Sequence, residues 1–468
     1  MKLDAVILAA GSGSRMVELT RGRPKCLLPV GNHSMIWFAI TSLRSIGVSR
    51  IIILVPDTQE QDIKQYCHKK FNSIKGLILE FASVSVKADC GTAESILSIR
   101  DKIREDFIVF SCDSIVDPKS LLALLNHYRL YDPMLTMLLA DNPAYFQRQQ
   151  TPGRREKETY PRDVIAIEPL EKLDQTTTQE YSTNKIVFLH SERDLGKNLR
   201  IKNRELALHP SLEVYSQFLD THIYILKRQA LDILSQHKDN TVLKGEIIPL
   251  LIARQFSRLE NDSYDRGDDD DDDAEDLSGF ARRSDHELEL KERLESFNPR
   301  NVAQSNYLHK PKLSRPTACH ALVTKNPVAH RANTLRSYLE CNREAKTILN
   351  LYGVKNLTFI KDCLIGDDTK VGEKCLLKGG SIGNGCKIGD KVKLFNCVIM
   401  DNVEIESNVT ISESIISSNS RIGSKCDLKS CIVGQRQVIA AGRKANCEVI
   451  IDDGYVIDLS DPLVADND

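Results

Sequence analysis

Short apolar runs alternate with amphipathic stretches over residues 1–140. The runs predict strands at Ala5–Ala10, Ile51–Val55, Leu77–Phe81, Phe107–Ser111 and Met134–Ala140. Apolar positions spaced three and four apart between these runs predict helices at Ser34–Ile46, Gln59–Lys70, Thr92–Ile103 and Pro118–Leu130. This order of elements predicts a parallel sheet covered on both faces, with ligands bound at the carboxyl ends of its strands.

The pattern loosens beyond residue 141. The polar, basic stretch 142–162 is predicted as a surface loop, and strand-like runs resume at Val164–Ile167, Lys185–Leu189 and Thr221–Leu226. Apolar content then falls, and Asp268 to Asp273 is an unbroken run of aspartates. Such a run repels itself and buries little surface, so we expect a disordered insertion or linker there. A less favoured alternative is an electrostatic arm for a basic partner.

The last part of the chain repeats with a fixed period. Its aliphatic residues recur in steps of six, six and five, so that equivalent positions are 17 residues apart. The series is Ile365, Val371, Leu377, Ile382, Ile388, Leu394, Ile399, Ile405, Ile411, Ile416, Ile422, Leu428 and Val433. About six residues per face and three faces per turn describe a triangular parallel β-helix of at least four coils. Several cysteines then belong to its interior.

These patterns divide the 468 residues into four segments. We expect an α/β domain over 1–256, an acidic insertion over 257–316, a partly helical bridge over 317–355 and the β-helix over 356–455. The 63 basic and 65 acidic side chains give a formal charge of −2, which favours neither nucleic acid nor a membrane surface as a partner. The first apolar run is too short for a signal sequence or a membrane span, so a cytosolic chain is expected.

A glycine-rich turn after the first predicted strand supplies candidate chemistry. Its residues, with a lysine about ten positions later, are Gly11, Ser12, Gly13, Ser14, Arg15 and Lys25. Glycines let backbone N–H groups approach an anion, and the two cations could hold a triphosphate or could pair with nearby carboxylates. The spacing matches neither a Walker A loop nor a dinucleotide-binding fingerprint, because position 16 is Met. Thirteen cysteines without any C-x-x-C pair predict neither a disulfide framework nor a zinc ribbon.

The whole motif resembles the sugar-1-phosphate nucleotidyltransferases, whose signature is similar to L-A-A-G-x-G-[ST]-R-[LM] followed by P-K-x-L-L-P-V. Residues 8–16 and 24–30 match it. The resemblance implies that Gly91 and Thr92 contact a base, and that Asp113 stands where the family binds a metal ion. Many members also carry a C-terminal left-handed β-helix. The implied fold is an α/β Rossmann-like nucleotidyltransferase domain followed by a left-handed parallel β-helix.

Departures from that family argue against its chemistry. Cys112 replaces the glycine before the metal aspartate, and the segment similar to F-x-E-K-P, at residues 187–192, has no lysine. Asp220 and His222 replace the asparagine and glycine of a sugar-contacting N-x-G-x-Y. Transfer needs both reactants positioned and a neutralising metal, so we expect the fold without catalytic residues, resident metal or cofactor. Asp113 would then act as a strand-end cap.

Nearly the whole chain resembles the gamma-subunit family of eukaryotic translation initiation factor 2B, a multi-subunit guanine-nucleotide exchange factor. The residues that carry this resemblance include Ala5–Leu8, Leu27–Asn32, Gly91–Ser95 and Cys431–Gln435. It implies a non-catalytic subunit that supports exchange on initiation factor 2 by the epsilon subunit, within a heterodecamer. Its implied partners are proteins, with no direct nucleic-acid contact and no membrane.

Two enzyme alternatives remain open. An active sugar-1-phosphate nucleotidyltransferase, for instance a mannose-1-phosphate guanylyltransferase, is favoured by Gly11, Gly13, Arg15, Lys25 and Asp113. An acyltransferase built on the β-helix is disfavoured, because such enzymes use a histidine base and residues 361–455 contain none.

Overall fold

The computed structural model describes residues 3–11, 13–85, 91–146, 149–155, 157–158, 162–170, 181–192, 209, 211–237, 241–255, 318–325, 328–355 and 357–451. Ser12 and the aspartate run 268–273 lie outside these ranges.

The N-terminal part contains sixteen described strands and nine described α-helices. The strands are β1 Asp4–Leu8, β2 Pro29–Val30, β3 His33–Ser34, β4 Arg50–Pro56, β5 Ile78–Val84, β6 Phe107–Ser111, β7 Ser114–Val116, β8 Leu135–Asp141, β9 Gln149–Gln150, β10 Lys157–Glu158, β11 Asp163–Pro169, β12 Tyr181–Ser191, β13 Glu213–Tyr215, β14 Phe218–Leu226, β15 Cys319–Thr324 and β16 Ala329–Arg331. The helices are α1 Val17–Thr20, α2 Met35–Ser45, α3 Glu60–Phe71, α4 Thr92–Leu97, α5 Pro118–Tyr131, α6 Ala230–Gln236, α7 Ile248–Arg254, α8 Leu335–Arg343 and α9 Ala345–Leu351. None of these helices is long and apolar enough to cross a membrane.

The main sheet has ten strands in the order β13-β11-β12-β15-β8-β14-β6-β1-β4-β5. The block β6-β1-β4-β5 is parallel, which confirms the prediction for this half. Alternate residues face opposite layers: Ile7 packs with Ile40 beneath α2, α3 and α5, whereas Val6 packs with Leu251 beneath α4, α6 and α7. Both faces are therefore covered, as predicted.

The other half of the sheet is mixed, because strands from beyond residue 141, which the parallel prediction did not cover, enter it. β14 runs antiparallel between β6 and β8, and β11, β12 and β13 pair antiparallel at the far edge. β15 lies between β12 and β8. The segment expected as a bridge over 317–355 thus contributes one strand to this sheet, in addition to α8 and α9.

The C-terminal part consists of short strands stacked in parallel. They are β17 Thr358–Ile360, β18 Cys363–Ile365, β19 Lys370–Val371, β20 Leu376–Ile382, β21 Lys387–Ile388, β22 Lys393–Ile399, β23 Glu404–Ile405, β24 Thr410–Ser412, β25 Ile415–Ile416, β26 Arg421–Ile422, β27 Asp427–Lys429, β28 Ile432–Val433, β29 Val438–Ile439, β30 Lys444–Asn446 and β31 Val449–Ile450. The initial hairpin β17–β18 is antiparallel, and the remaining pairs are parallel.

Strand pairing confirms the 17-residue period. Ile365 pairs with Ile382, which pairs with Ile399, and the same step continues through Ile416. Two further ladders repeat it, and the paired aliphatic side chains fill one buried interior. Five cysteines lie in this interior, in line with the prediction. In three of them the thiol donates to a backbone carbonyl 14 residues further along. These three cysteines are Cys386, Cys397 and Cys426.

The corners of the coils use left-handed backbone conformations that recur with the same period. One series of corners is Lys374, Lys391, Asn408, Lys425 and Gly442, with φ between 56° and 77°. Asparagine and glycine adopt this conformation most readily, whereas other residues are disfavoured there by about 1–2 kcal/mol. The lysine corners therefore store backbone strain that the stacked ladders hold in place.

One face of the β-helix lies against the N-terminal part. Val398, Ile415 and Ile432 point out of the β-helix interior, yet each is at most 1% exposed because they share an apolar cluster with Met35 and Tyr338. This face joins the two parts through a continuous hydrophobic contact.

Hydrogen bonds anchor this face to the N-terminal part at two different coils. In an early coil, the Asn342 Oδ1 atom accepts from Gly31 N at 3.0 Å and from Ser381 Oγ at 2.8 Å. In a later coil, Gly153 N donates to the Ser430 carbonyl at 2.7 Å. Thr151, Pro152 and Gly153 are buried there. The prediction of a surface loop over 142–162 is therefore wrong at its centre, because this loop packs on the β-helix.

Candidate functional site

Lys25 and Asp113 meet at the carboxyl end of the parallel block. β6 ends at Ser111, which places Asp113 just beyond the sheet, and a short 3-10 helix, Lys25–Leu27, presents the lysine. Lys25 Nζ donates to Asp113 Oδ2 at 2.6 Å, and Ser111 Oγ donates to Asp113 Oδ1 at 2.7 Å. Of the two interpretations left open for Lys25, pairing with a carboxylate is the one that the geometry favours.

The Asp113 carboxylate is buried and ionised. Its side chain is only 3% exposed, and burial alone would favour the neutral acid. Lys25 and Arg331 outweigh that effect and hold the pKa of Asp113 well below its ordinary value. Asp113 therefore carries its negative charge throughout the physiological range, fully matched by cations of the same chain.

Arg331 is a site residue that the sequence reasoning missed. β16 pairs antiparallel with β7, so that Arg331 lies opposite Ser114, and Ala332 N donates to the Asp113 carbonyl at 2.8 Å. This register brings Arg331 Nε to 3.5 Å from Asp113 Oδ1. No local motif marks Arg331, because its position depends on strand pairing across the whole acidic insertion.

The glycine-rich turn contains a glycine in the left-handed region. Gly13 has φ of 74°, and a side chain at this position would collide with Thr20. Ser14 and Arg15 begin a 3-10 helix, and Gly11 is exposed. The amide of Asn333, oriented to satisfy both neighbours, accepts from Arg15 at 3.1 Å and donates to the Arg331 carbonyl. The segment around Arg331 thus holds Arg15 through Asn333, and it holds Lys25 through Asp113.

The segment Gly91–Thr92 is covered by the chain itself. A Cβ atom on Gly91 would lie 2.2 Å from the Thr241 carbonyl oxygen, so only glycine fits beneath that carbonyl. The same oxygen accepts from Ala93 N at 2.8 Å, and Thr92 Oγ1 accepts from Leu243 N at 2.9 Å. The polar groups that the resemblance assigns to a base therefore bond within the protein.

A second charged cluster, also missed by the sequence reasoning, lies beyond Arg331. Lys244 Nζ donates to Asp163 Oδ2 at 2.8 Å and lies 3.6 Å from Asp220 Oδ2. Tyr224 donates to Asp220 Oδ2 at 2.6 Å. Burial raises the pKa of Asp163. At Asp220 the Lys244 charge and the hydrogen bonds from Tyr224 and from the His222 backbone N–H outweigh burial and lower the pKa.

His222 keeps a backbone shape typical of glycine. Its φ of 54° lies in the left-handed region, at the position where the resemblance places glycine in N-x-G-x-Y. Burial and the nearby Arg331 charge lower its pKa well below the ordinary value, so the ring is neutral.

A divalent metal ion does not fit at Asp113. A metal would need the carboxylate oxygens that Lys25, Ser111 and Arg331 already contact. Within the described residues, no three His, Cys, Asp or Glu side chains converge as a metal site. The pocket instead balances three carboxylates, Asp113, Asp163 and Asp220, against Lys25, Arg331 and Lys244.

Two family models match the chain, one within the N-terminal part and the other over the β-helix. Residues 4–143 match a model described as Nucleotidyl transferase, and residues 353–445 match one described as EIF2B subunit epsilon LbH domain. The chain is thus a nucleotidyltransferase-like protein with a C-terminal LbH, or hexapeptide-repeat, domain.

Three curated relatives share one name, and the bifunctional protein GlmU of Methanocaldococcus jannaschii is also similar, with 24% identity over 53% of this chain and 60% of that one. The chain is 30% identical to the translation initiation factor eIF2B subunit gamma of Caenorhabditis elegans, over 54% of this chain and 59% of that one. The subunits of the same name from Dictyostelium discoideum and Schizosaccharomyces pombe are 27% and 24% identical. These matches span 82% and 81% of this chain, and 87% and 73% of the relatives. The chain is thus similar to eIF2B gamma subunits over most of its length.

Proposed function

We propose that this chain is a non-catalytic subunit of initiation factor 2B, supporting guanine-nucleotide exchange on initiation factor 2 by the epsilon subunit. The observation that carries the proposal is the similarity to gamma subunits over more than four fifths of the chain. Its working surfaces are then protein interfaces, with the epsilon subunit and further subunits of a heterodecamer as partners.

The pocket supports the non-catalytic part of this proposal. A nucleotidyl transferase must hold phosphate oxygens and a metal with free charge. Here Lys25 and Asp113 are paired with each other, and the segment at Gly91 is covered by Thr241. The residues Gly11, Ser12, Gly13, Ser14, Arg15, Lys25, Gly91, Thr92 and Asp113 are then vestiges of a nucleotide pocket rather than catalytic groups.

The finer architecture belongs to the same proposal. The parallel block of the sheet is Rossmann-like, and the β-helix is left-handed, in keeping with the LbH description of the matching model. The α/β domain covers residues 1–256 and also includes β15. The acidic insertion covers 257–316, the rest of the bridge extends to residue 355, and the β-helix covers 356–455. The chain acts in the cytosol, where translation initiation takes place.

Release of labelled GDP from initiation factor 2 tests the proposal. The epsilon subunit is assayed alone and as a co-purified complex with this chain, at equal epsilon concentration. We expect faster release from the complex, because the gamma-like chain supports the exchange catalyst. Unchanged release from a complex that demonstrably forms would contradict the proposal.

A second candidate is an active sugar-1-phosphate nucleotidyltransferase, favoured by the match of residues 4–143 to the Nucleotidyl transferase model. The pairing of Lys25 with Asp113 opposes it. Pyrophosphate release is measured with the chain alone, a panel of nucleoside triphosphates and sugar 1-phosphates, and Mg²⁺. Turnover that disappears in the Asp113→Asn variant would establish this second function in place of the non-catalytic one.

A further inference from the structure

The position of Arg331 raises the question of what its charge does in the pocket. Its side chain is 18% exposed and is held beside Asp113 by the pairing of β16 with β7. A buried charge without a partner costs several kcal/mol, so a guanidinium is retained in such a place when it neutralises another charge. Asp113, whose side chain is 3% exposed, is the carboxylate with which Arg331 forms an ion pair.

The local charge leaves no room for a further cation. One carboxylate at Asp113 already faces two positive side chains, Lys25 and Arg331. A divalent ion at the same oxygens would be repelled by both of these cations, strongly so where little water screens them. It would also have to displace Lys25 Nζ or Ser111 Oγ from contacts of 2.6 and 2.7 Å.

We propose that Arg331 supplies, from within the chain, the positive charge that a divalent metal ion would otherwise supply at Asp113. The pocket is therefore held in its folded geometry without metal and does not respond to Mg²⁺ or Mn²⁺. This inference deepens and rests on the non-catalytic part of the proposed function, and its test needs no partner subunit.

Binding of Mn²⁺ tests the inference. The full chain is used with Asp268 to Asp273 replaced by asparagine, so that the aspartate run contributes no background. Free Mn²⁺ is measured by electron paramagnetic resonance up to about 1 mM, the weak end of the range for protein sites. We expect no saturable binding to this chain, and an identical isotherm for its Asp113→Asn variant. A site of one Mn²⁺ per chain that Asp113→Asn removes would overturn the proposal.

Removal of the guanidinium provides the complementary measurement. Arg331→Met should gain Mn²⁺ binding at least tenfold tighter than that of Arg331→Met/Asp113→Asn, and Mn²⁺ should raise its unfolding temperature. Arg331→Lys keeps the charge and should gain nothing. The matched control Arg15→Met removes a cation of the same pocket that Asn333 holds, and should also gain nothing. Failure of folded Arg331→Met to gain an Asp113-dependent site would contradict the proposal.

If Arg331→Met does not fold, the comparison between the parent chain and its Asp113→Asn variant still decides the question. A parent chain that binds Mn²⁺ through Asp113 refutes the role of Arg331, and one that does not supports it. Neither result depends on eIF2B activity, so failure of this inference and failure of the proposed function are distinguished.

Discussion

Two histidines face each other inside the N-terminal part, between α5 and β15. His127 Nε2 and His320 Nδ1 lie 3.2 Å apart, and the Tyr131 ring packs against both. Burial lowers the pKa of His127 to about 4, and burial together with His127 and Lys185 lowers the pKa of His320 to about 3. Both rings are therefore neutral in the folded protein over most of the pH range.

This pair should make the protein sensitive to mild acid. In the unfolded chain both histidines take up protons near pH 6.5, whereas in the folded chain they do so only near pH 4 and below. Stability is therefore fully present above about pH 6.5 and falls as the pH decreases towards 4. The two shifts together predict a loss of about 5 kcal/mol between pH 7.5 and 4.5, measured by urea unfolding with the fluorescence of Trp37.

The double variant His127→Gln/His320→Gln serves to isolate this effect. Its free energy of unfolding should depend less on pH than that of the unchanged protein over the same interval. His68→Gln, which alters an exposed histidine on α3, is the matched control and should leave the pH dependence unchanged. Equal slopes for the double variant and the unchanged protein would show that the buried pair does not titrate as described.

At this scale the sequence predicted the pocket only in part. Motifs single out Lys25 and Asp113, and pairing of the lysine with a carboxylate is one of two interpretations that they leave open, but no spacing rule identifies Asp113 as its partner. Arg331 and Lys244 could not be found, because neither lies in a motif. Their roles follow from strand pairing and helix packing, which bring residues from distant parts of the chain to one pocket.

At the scale of elements, the corners of the β-helix carry strain that can be measured. Lys391 has φ of 58°, and the equivalent corner three coils further along is Gly442, with φ of 77°. Lys391→Gly should stabilise the protein by about 0.5–1 kcal/mol, because relief of the left-handed strain exceeds the entropy that glycine loses on folding. Thermal unfolding measures the change.

Lys393→Gly is the matched control for this prediction. Lys393 is also exposed, but it lies in β22, in extended conformation, two residues further along. Glycine there relieves no strain and weakens a strand, so it should destabilise. A destabilised Lys391→Gly variant would indicate that the lysine side chain itself holds the corner.

The two halves of the molecule differ in how well the sequence predicted their elements. Every coil of the β-helix repeats one local pattern, so the register Ile365, Ile382, Ile399, Ile416 could be read directly from spacing. In the N-terminal sheet the apolar runs predicted where strands lie, but not the antiparallel insertion of β14 or the late return of β15. Those pairings join segments far apart in sequence, and hydrophobic periodicity carries no information about partners.

At the scale of the whole molecule, stability depends on the apolar face that joins the two parts. Ile415 is fully buried, although it points away from the β-helix interior. Ile415→Ala should lower the free energy of unfolding by about 2–5 kcal/mol, the usual cost of such a truncation in a core. Urea unfolding measures this, and limited proteolysis should cut more readily between the two parts.

Val438→Ala is the control from the same β-helix. Val438 is 75% exposed on another face, so its truncation should change stability by no more than about 0.5 kcal/mol. Comparable losses for the two variants would mean that Ile415 contributes to coil stacking rather than to the contact between the two parts.

The two hydrogen-bonded anchors on this face fix the number of coils between them, because both bind the N-terminal part. Ser381 and Ser430 are held at fixed separation by Asn342 and Gly153. Because successive coils are about 4.8 Å apart, a gene duplication that copied one coil between the anchors would pull one of them out of reach. A copy added beyond Ser430 would disturb neither anchor. Evolution can therefore lengthen this β-helix by copying whole coils only outside the interval between Ser381 and Ser430.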